Sequence, residues 1–247
     1  KKDGDDYVIN GSKIWTSSAH IADFGWLAAR TDPKAPKHRG ISLFMVDMKS
    51  PGVAVRPIYN MAGSHEFNEV FFEDVRIPSK NLVGEENRGW YTLAVALDFE
   101  RSGVGYSANA RRILASLTNY VKSAKKNGKP LSENQLVRNR LAERHIETEV
   151  SRSMSYKVAW MQSNGMVPNA EASMSKLFGT ELVQRVANTA MNIIGMKGLL
   201  SHESDRSPLE GAVQKMYLSS FSSTIAAGTS EIQRNIIAGR GLGLPRA

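Results

Sequence analysis

The 247-residue chain contains no cysteine, which excludes a disulfide framework and thiolate chemistry alike. Histidine is nearly as scarce: the five, His20, His38, His65, His145 and His202, show none of the spacings by which imidazoles gather a metal ion. No apolar run approaches the roughly 20 residues of a membrane helix, so no membrane span is expected. The amino end, Lys1-Lys2-Asp3-Gly4-Asp5-Asp6, lacks an initiator methionine and the charged-then-apolar order of a signal peptide. It reads as an internal starting point with sequence expected upstream, and the cytoplasm is the favoured compartment.

What is present is a globular composition, 41% hydrophobic, with length for one large or two modest domains. A formal net charge of +8 suits anionic partners such as a phosphorylated cofactor, coenzyme A or nucleic acid. No nucleic-acid-binding module is legible, and Lys122, Lys125, Lys126 and Lys129 read as a solvated helix end and loop.

From about residue 7 to 78, short β-branched and aromatic runs alternate with turn signals, the pattern of an antiparallel β domain. Tyr7-Val8-Ile9 leads through Asn10-Gly11, a type I′ hairpin signal, into Lys13-Ile14-Trp15-Thr16. Further runs are Trp26–Ala29, Ile41–Val46, Val53–Val55 and Val70–Phe72, with loops at Asp32-Pro33 to His38, Pro51-Gly52 and Ile77-Pro78. After Gly84–Gly89 the period shifts from two to about 3.6, which places a boundary near residue 84 between a β part, 1–83, and a helical part, 84–247.

Four long helices are expected in that second part. The first runs from about Trp90 to Ala124 and ends in the loop Lys126–Pro130. The second runs from about Glu133 to Ser163 with an apolar row at Val150, Met154, Val158 and Met161. Asn164-Gly165 stops it, and the third carries Met174, Phe178, Leu182, Val186 and Ala190 on one face, with glycines at 195 and 198 to cap its end. The fourth opens at Ser207-Pro208-Leu209-Glu210, a capping box with proline at the first helical position. Short connections make this an antiparallel four-helix bundle, so the fold class is α+β. A brief fifth helix, Glu231 to Ala238, follows Gly228-Thr229-Ser230, with Ser230 and Gln233 as a second capping box.

Three stretches bear chemistry. In the first helix, the stripe Leu93, Leu97, Glu100, Val104, Ser107 aims a lone carboxylate inward. Burial raises a carboxyl pKa, the tuning of a general base, although a Glu held by hydrogen bonds or paired with Arg101 or Arg144 fits the same position. Trp15-Thr16-Ser17-Ser18 sets an aromatic beside three hydroxyls, a corner that could stack on a planar ring or bury its indole in the core. The helix entry at Gly228-Thr229-Ser230-Glu231-Ile232-Gln233-Arg234 could receive an anionic group or be capped with no ligand.

In this order, Tyr7–Ser17, Phe72-Glu73-Asp74-Val75-Arg76-Ile77-Pro78, Leu82-Val83-Gly84, Leu97–Arg101, Ile194-Gly195 and Gly228–Arg234 resemble the acyl-CoA dehydrogenase family. The resemblance implies a middle β domain and a carboxy-terminal four-helix bundle, FAD as cofactor, oxidation of the α,β bond of an acyl-CoA thioester, and an electron-transfer flavoprotein as acceptor. It also implies a homo- or hetero-oligomer, dimer or tetramer, and no nucleic-acid or membrane partner. Carried over by position, Trp15, Thr16, Ser17, Gln135, Asn192, Thr229 and Glu231 fall on cofactor-binding positions, and Asp98 and Arg101 on positions near the CoA portion of the substrate. Where the commoner branch carries its base, this chain has Ala227. The isovaleryl-like and long-chain-like branch carries its glutamate where Glu100 stands, which makes Glu100 the implied catalytic base.

Three departures accompany the resemblance. An amino-terminal helical domain and a flavin-binding strand and loop are expected upstream, so this chain by itself should bind FAD poorly. The Arg-x-x-Phe-Gly that reaches a neighbouring subunit's flavin reads Ala124-Lys125-Lys126-Asn127-Gly128, and the Gly-Gly-x-Gly near the adenine reads Gly195-Met196-Lys197-Gly198. Such changes fit a subunit that lends little to its neighbour's flavin, so a non-catalytic or flavin-poor subunit stands as an alternative, and an acyl-CoA oxidase as another.

Overall fold

The computed structural model describes residues 1–100 and 103–245, and the side chains of these except 98–100. It divides into two compact units, Lys1–Leu97 and Asp98–Ala247. In the first, the strands are β1 (Lys2–Asp3), β2 (Asp6–Lys13), β3 (Phe24–Arg30), β4 (Ile41–Asp47), β5 (Val53–Tyr59), β6 (His65–Pro78) and β7 (Leu82–Val83). They form two antiparallel sheets, ordered β1-β2-β6-β5 and β3-β4-β7. Tyr7, Ile9, Val70, Phe72, Val75 and Ile77 from one sheet share a core with Leu27, Phe44 and Val46 from the other. Each such side chain contributes about 1.5–3 kcal/mol by leaving water.

Asn10-Gly11 does not turn the chain. Strand β2 runs straight through it, and the partner strand β6 carries an irregularity instead: Ile9 pairs with Val75, but Gly11 pairs with Phe72. The extra residue on β6 flips its side-chain alternation, so that Val70 and Phe72 before it and Val75 and Ile77 after it all face the core. Asn10 closes this bulge, its Nδ2 donating to Asp74 Oδ1 at 2.8 Å and its Oδ1 accepting from the Asp74 N–H at 2.9 Å. Tertiary pairing thus outweighs the local turn preference, and Ile77-Pro78 is strand rather than loop.

The helices are α1 (Gly89–Glu100), α2 (Val104–Ser123), α3 (Gln135–Ser163), α4 (Asn169–Ile194), α5 (Ala212–Ser223) and α6 (Ser230–Ile236). Helices α2, α3, α4 and α5 pack about Ile113, Leu114, Leu117, Leu141, Leu182, Val186 and Val213. The expected single helix from Trp90 to Ala124 is two, because Gly103 lies before α2 in the left-handed region with φ 76°. Val104 is exposed while Ser107 is buried, so the stripe drawn through Glu100 does not continue across the break. Between α2 and α3, β8 (Lys125–Lys126) and β9 (Lys129–Pro130) pair around Asn127-Gly128, both with positive φ, which is a two-residue hairpin.

The apolar row expected on α3 is only partly buried. Val158 is inside, but Val150 is exposed, and the buried face is Leu141, Arg144, Thr148, Ser151, Ser155 and Val158. It meets a similarly small and polar stretch of α4, where Ser175 Oγ lies 3.3 Å from Ser155 Oγ and Met174 is exposed. Small side chains let these two helices approach closely. The capping box at Ser207 is absent: Leu209 and Glu210 are left-handed, and Ser207 Oγ donates instead to the Leu200 carbonyl at 2.9 Å. Gly195 caps α4 with φ 72° as expected.

Candidate functional site

Trp15, Thr16 and Ser17 share a corner immediately beyond the end of β2. Two of its residues, Trp15 (φ 61°) and Ser18 (φ 59°), occupy the left-handed region that side chains disfavour, a conformation that persists only where its surroundings enforce it. The enforcement comes from β6. Thr16 N–H donates to the Asn68 carbonyl at 2.9 Å, Ser18 N–H donates to the Glu66 carbonyl at 3.0 Å, and Asn68 Nδ2 donates to the Thr16 carbonyl at 3.0 Å. Trp15 is 62% exposed and meets Phe67 at nearly a right angle, so this indole lies outside the core of the β unit.

Thr229 and Glu231 belong to a second tight segment, in the helical unit. Ala227 (φ 53°) and Gly228 (φ 94°) are left-handed, and Thr229, rather than Ser230, caps α6, its Oγ1 accepting from the Ile232 N–H at 3.3 Å. Gln233 is fully buried and does not reach back as a capping-box partner; its Nε2 donates to the carbonyls of Ala227 and Gly228, each at 3.1 Å. Lys176 on α4, 1% exposed, donates from Nζ to the same Gly228 carbonyl at 2.8 Å. Glu231 is held below the usual carboxylate range, first by a hydrogen bond from its own backbone N–H, then by the Thr229 hydroxyl, with Arg234 and Lys176 adding positive charge.

An ion-pair row anchors this segment to the bundle. Arg234 meets Glu181 at 2.6 Å, and Arg185 lies 3.9 Å from Glu181 and 3.1 Å from Glu147. Arg144, considered above as a partner for Glu100, pairs with Glu143 at 2.7 Å and Glu147 at 3.0 Å. Beside the row, a polar cleft of about 470 Å³ is lined by Glu181, Arg185, Tyr217, Thr224, Glu231 and Arg234.

Gln135 and Asn192 are exposed and lie apart from the Thr229 segment in sequence, at the start of α3 and near the end of α4. The register set by Ser155 against Ser175 and Glu147 against Arg185 makes these helices antiparallel, so both residues belong to the end of the pair away from the 164–168 loop. Gln135 Nε2 donates to Asn139 at 2.8 Å, and Asn192 Nδ2 donates to the Asn188 carbonyl at 2.8 Å. Met196 is 82% exposed at that end, and Ala124 and Asn127 supply no guanidinium or ring. Glu100 and Asp98 lie in the last turn of α1 with side chains outside the described residues, and Arg101 lies outside them altogether.

The residues that sequence reasoning missed are Asn68, His20, His65, Lys176 and the inward role of Gln233. Two carry a signal in retrospect: Asn68 is in phase with Val70 and Phe72 on the core face of β6, and Lys176 is in phase with Ala172, Val183 and Ala187 on α4. A polar residue on a buried stripe asks what it bonds. Among the described residues, no group of three or more His, Asp or Glu is arranged to hold a metal ion, and no helix is long and apolar enough to cross a membrane.

Comparison with known proteins agrees with both units. Residues 1–75 match the family model "Acyl-CoA dehydrogenase, middle domain" and residues 87–242 match "Acyl-CoA dehydrogenase, C-terminal domain". The chain belongs to the acyl-CoA dehydrogenase family. Among its relatives, "Acyl-CoA dehydrogenase FadE26" of Mycobacterium tuberculosis is 37% identical over 254 residues, a match covering 100% of this chain and 63% of that protein. The ChsE4-ChsE5 complex of the same species superposes with a TM-score of 0.90 at 38% identity, covering 100% of this chain and 64% of that one. The G363A variant of the Tcur3481-Tcur3483 steroid ACAD gives a TM-score of 0.91 at 35% identity, with coverage of 100% and 63%. The chain therefore spans about 63% of the length of these relatives.

Proposed function

We propose that the full-length protein is an FAD-dependent acyl-CoA dehydrogenase that converts an acyl-CoA thioester to its trans-2-enoyl-CoA, with Glu100 as the base. The observation that carries this reading is the match of two acyl-CoA dehydrogenase domain models, in order, across 1–75 and 87–242. FAD when bound supplies the acceptor for the β hydrogen, taken as hydride, and passes electrons to an electron-transfer flavoprotein. The ring-side residues suit it: Trp15 is largely exposed and offers an aromatic surface for stacking, and Thr16 and Ser17, next in the chain, supply hydroxyls that can donate hydrogen bonds. Thr229 and Glu231 would contact the flavin from the capped turn, and Gln135 and Asn192 from the far end of α3 and α4.

Chemistry at the substrate falls to residues 98–101. Asp98 and Arg101 bind and orient the CoA portion, and Glu100 takes the α proton, whose acidity rises when hydrogen bonds to the thioester carbonyl stabilise the developing enolate. Ala227, at the position where the commoner branch carries its base, cannot accept a proton. Positioned proton abstraction of this kind contributes about 10²–10⁴-fold in rate. Adding acyl-CoA to the full-length protein without oxygen should bleach the flavin band; a band left unchanged by every acyl-CoA tried contradicts the reading. Hydrogen peroxide formed without an added acceptor would assign an oxidase instead.

A second reading is favoured by Ala124, Asn127 and Met196, which replace a guanidinium, a ring and a glycine expected to serve a neighbouring subunit's flavin. In it the chain is a subunit of a heteromeric assembly with fewer flavins than chains. One similar structure, ChsE4-ChsE5, is described as a complex, and another carries the double name Tcur3481-Tcur3483, which supports that assembly. Flavin counted per chain in the purified full-length assembly separates the readings: one per chain favours the homomeric enzyme, and one per two chains the heteromeric one.

A further inference from the structure

We propose that Asn68, hydrogen-bonded to a ring nitrogen of each of the stacked imidazoles His20 and His65, is the positioning residue that sets the conformation of the Trp15–Ser17 corner toward the flavin. The inference rests on the reading of that corner as flavin-facing. Asn68 is fully buried on the core face of β6, where its neighbours in phase are Val70 and Phe72. A buried amide persists only if its polar atoms are matched, and here they are. Nδ2 donates to the Thr16 carbonyl at 3.0 Å and contacts His20 Nδ1 at 3.2 Å, while Oδ1 contacts His65 Nε2 at 2.8 Å.

The orientation of this amide follows from chemistry. A backbone carbonyl only accepts, so the nitrogen of the amide must face Thr16 and the oxygen must face His65. His20 Nδ1 is then the acceptor and His65 Nε2 the donor. The two rings stack with centroids 3.9 Å apart and planes at 24°, and Tyr59 flanks His65 at 5.5 Å, so the pair acts as a stop that keeps the amide from rotating. Asn68 thereby bonds Thr16 twice, through its carbonyl to the Thr16 N–H and through its side chain to the Thr16 carbonyl. On either side of Thr16 stand the strained residues Trp15 and Ser18, and a strained exposed turn relaxes unless something fixes its centre. The result is a main chain fixed at Thr16, from which the exposed Trp15 indole and the hydroxyls of Thr16 and Ser17 are carried.

Asn68→Leu keeps the side-chain bulk and the main-chain carbonyl that accepts from the Thr16 N–H, and removes the side-chain polar contacts that hold the Thr16 carbonyl and the two imidazoles. In the full-length protein it should raise Thr16 amide hydrogen exchange about tenfold, the equivalent of one lost hydrogen bond, with the Val8 amide on β2 unchanged. It should also shift the Trp15 indole resonance, assigned with Trp15→Phe, and alter the visible spectrum of the bound flavin. His20→Phe keeps a stacked ring on an exposed residue, so folding is not at stake, and should raise Thr16 exchange by about threefold. Unchanged Thr16 exchange and an unmoved Trp15 resonance in both variants overturn the clamp. A loosened corner with an unaltered flavin spectrum overturns its role toward the flavin. A wild-type assembly that holds no flavin at all overturns the underlying reading instead, a failure visible before any substitution is made.

Discussion

The corner at residues 15–18 is held by a neutral amide, Asn68, whereas the turn at residues 227–229 is held by a buried ammonium, Lys176, with Gln233 beside it. Both segments contain left-handed residues that carry side chains, and both are fixed through their carbonyls. They differ in charge. The frame around the corner brings two imidazoles and an amide, so an apolar ring can be met by Trp15 without a fixed charge behind it. The frame around the turn brings a buried ammonium, Lys176, and its carboxylate, Glu231, is held below the ordinary range first by its own backbone N–H, then by the Thr229 hydroxyl, with Arg234 and Lys176 adding positive charge. A neutral hydrogen bond contributes about 1 kcal/mol and one to a charged group about 1.5–3, so the two frames should fail by different amounts.

Lys176→Met tests the charged side. It keeps the stem but leaves the Gly228 carbonyl with one donor, and should cost about 2–3 kcal/mol in urea unfolding. Asn68→Ala tests the neutral side and should cost about 1–2 kcal/mol; equal losses at the two positions would remove the distinction. Replacing the left-handed Ala227 or Ser18 by glycine sharpens the comparison from the other direction. Each substitution relieves a positive φ and should stabilise by about 0.5–1 kcal/mol, measured as a rise in melting temperature.

The smallest effect is pH-dependent and confined to the turn. Because Glu231 has a lowered pKa when folded, its stabilisation is complete above the ordinary carboxylate range and is lost as pH falls through the folded value. The melting-temperature gap between the parent and Glu231→Gln should therefore narrow on going from pH 6 to pH 3. A gap that widens on acidification would contradict the sign of the shift.

Two Asn-Gly pairs show what could be read from the chain and what could not. At Asn127-Gly128 nothing opposes the local preference, and a tight hairpin forms where only a loop was expected. At Asn10-Gly11 the pairing of β2 with β6 is worth more than one turn, and the pair faces a bulge closed by Asp74. The strand runs, the cap at Gly195 and the helix stop at Asn164-Gly165 follow from local chemistry and were legible. The stripe through Glu100 relied on one unbroken helix, and the left-handed Gly103 breaks its phase. The polar faces of α3 and α4 escaped notice because periodicity counts apolar residues, while Ser151, Ser155, Ser173 and Ser175 pack through smallness. Trp15, Thr16, Ser17, Thr229 and Glu231 were singled out by motif, and the side chains that hold their segments, Asn68 and Lys176, emerge only from partners distant in sequence.

Glu100 is where the proposed chemistry meets its hardest test. Full-length Glu100→Gln should load flavin with an unaltered resting spectrum and yet fail to bleach on adding acyl-CoA without oxygen, because the amide cannot take the α proton. Bleaching at the parent rate would show that the proton goes elsewhere and would remove Glu100 from the reaction.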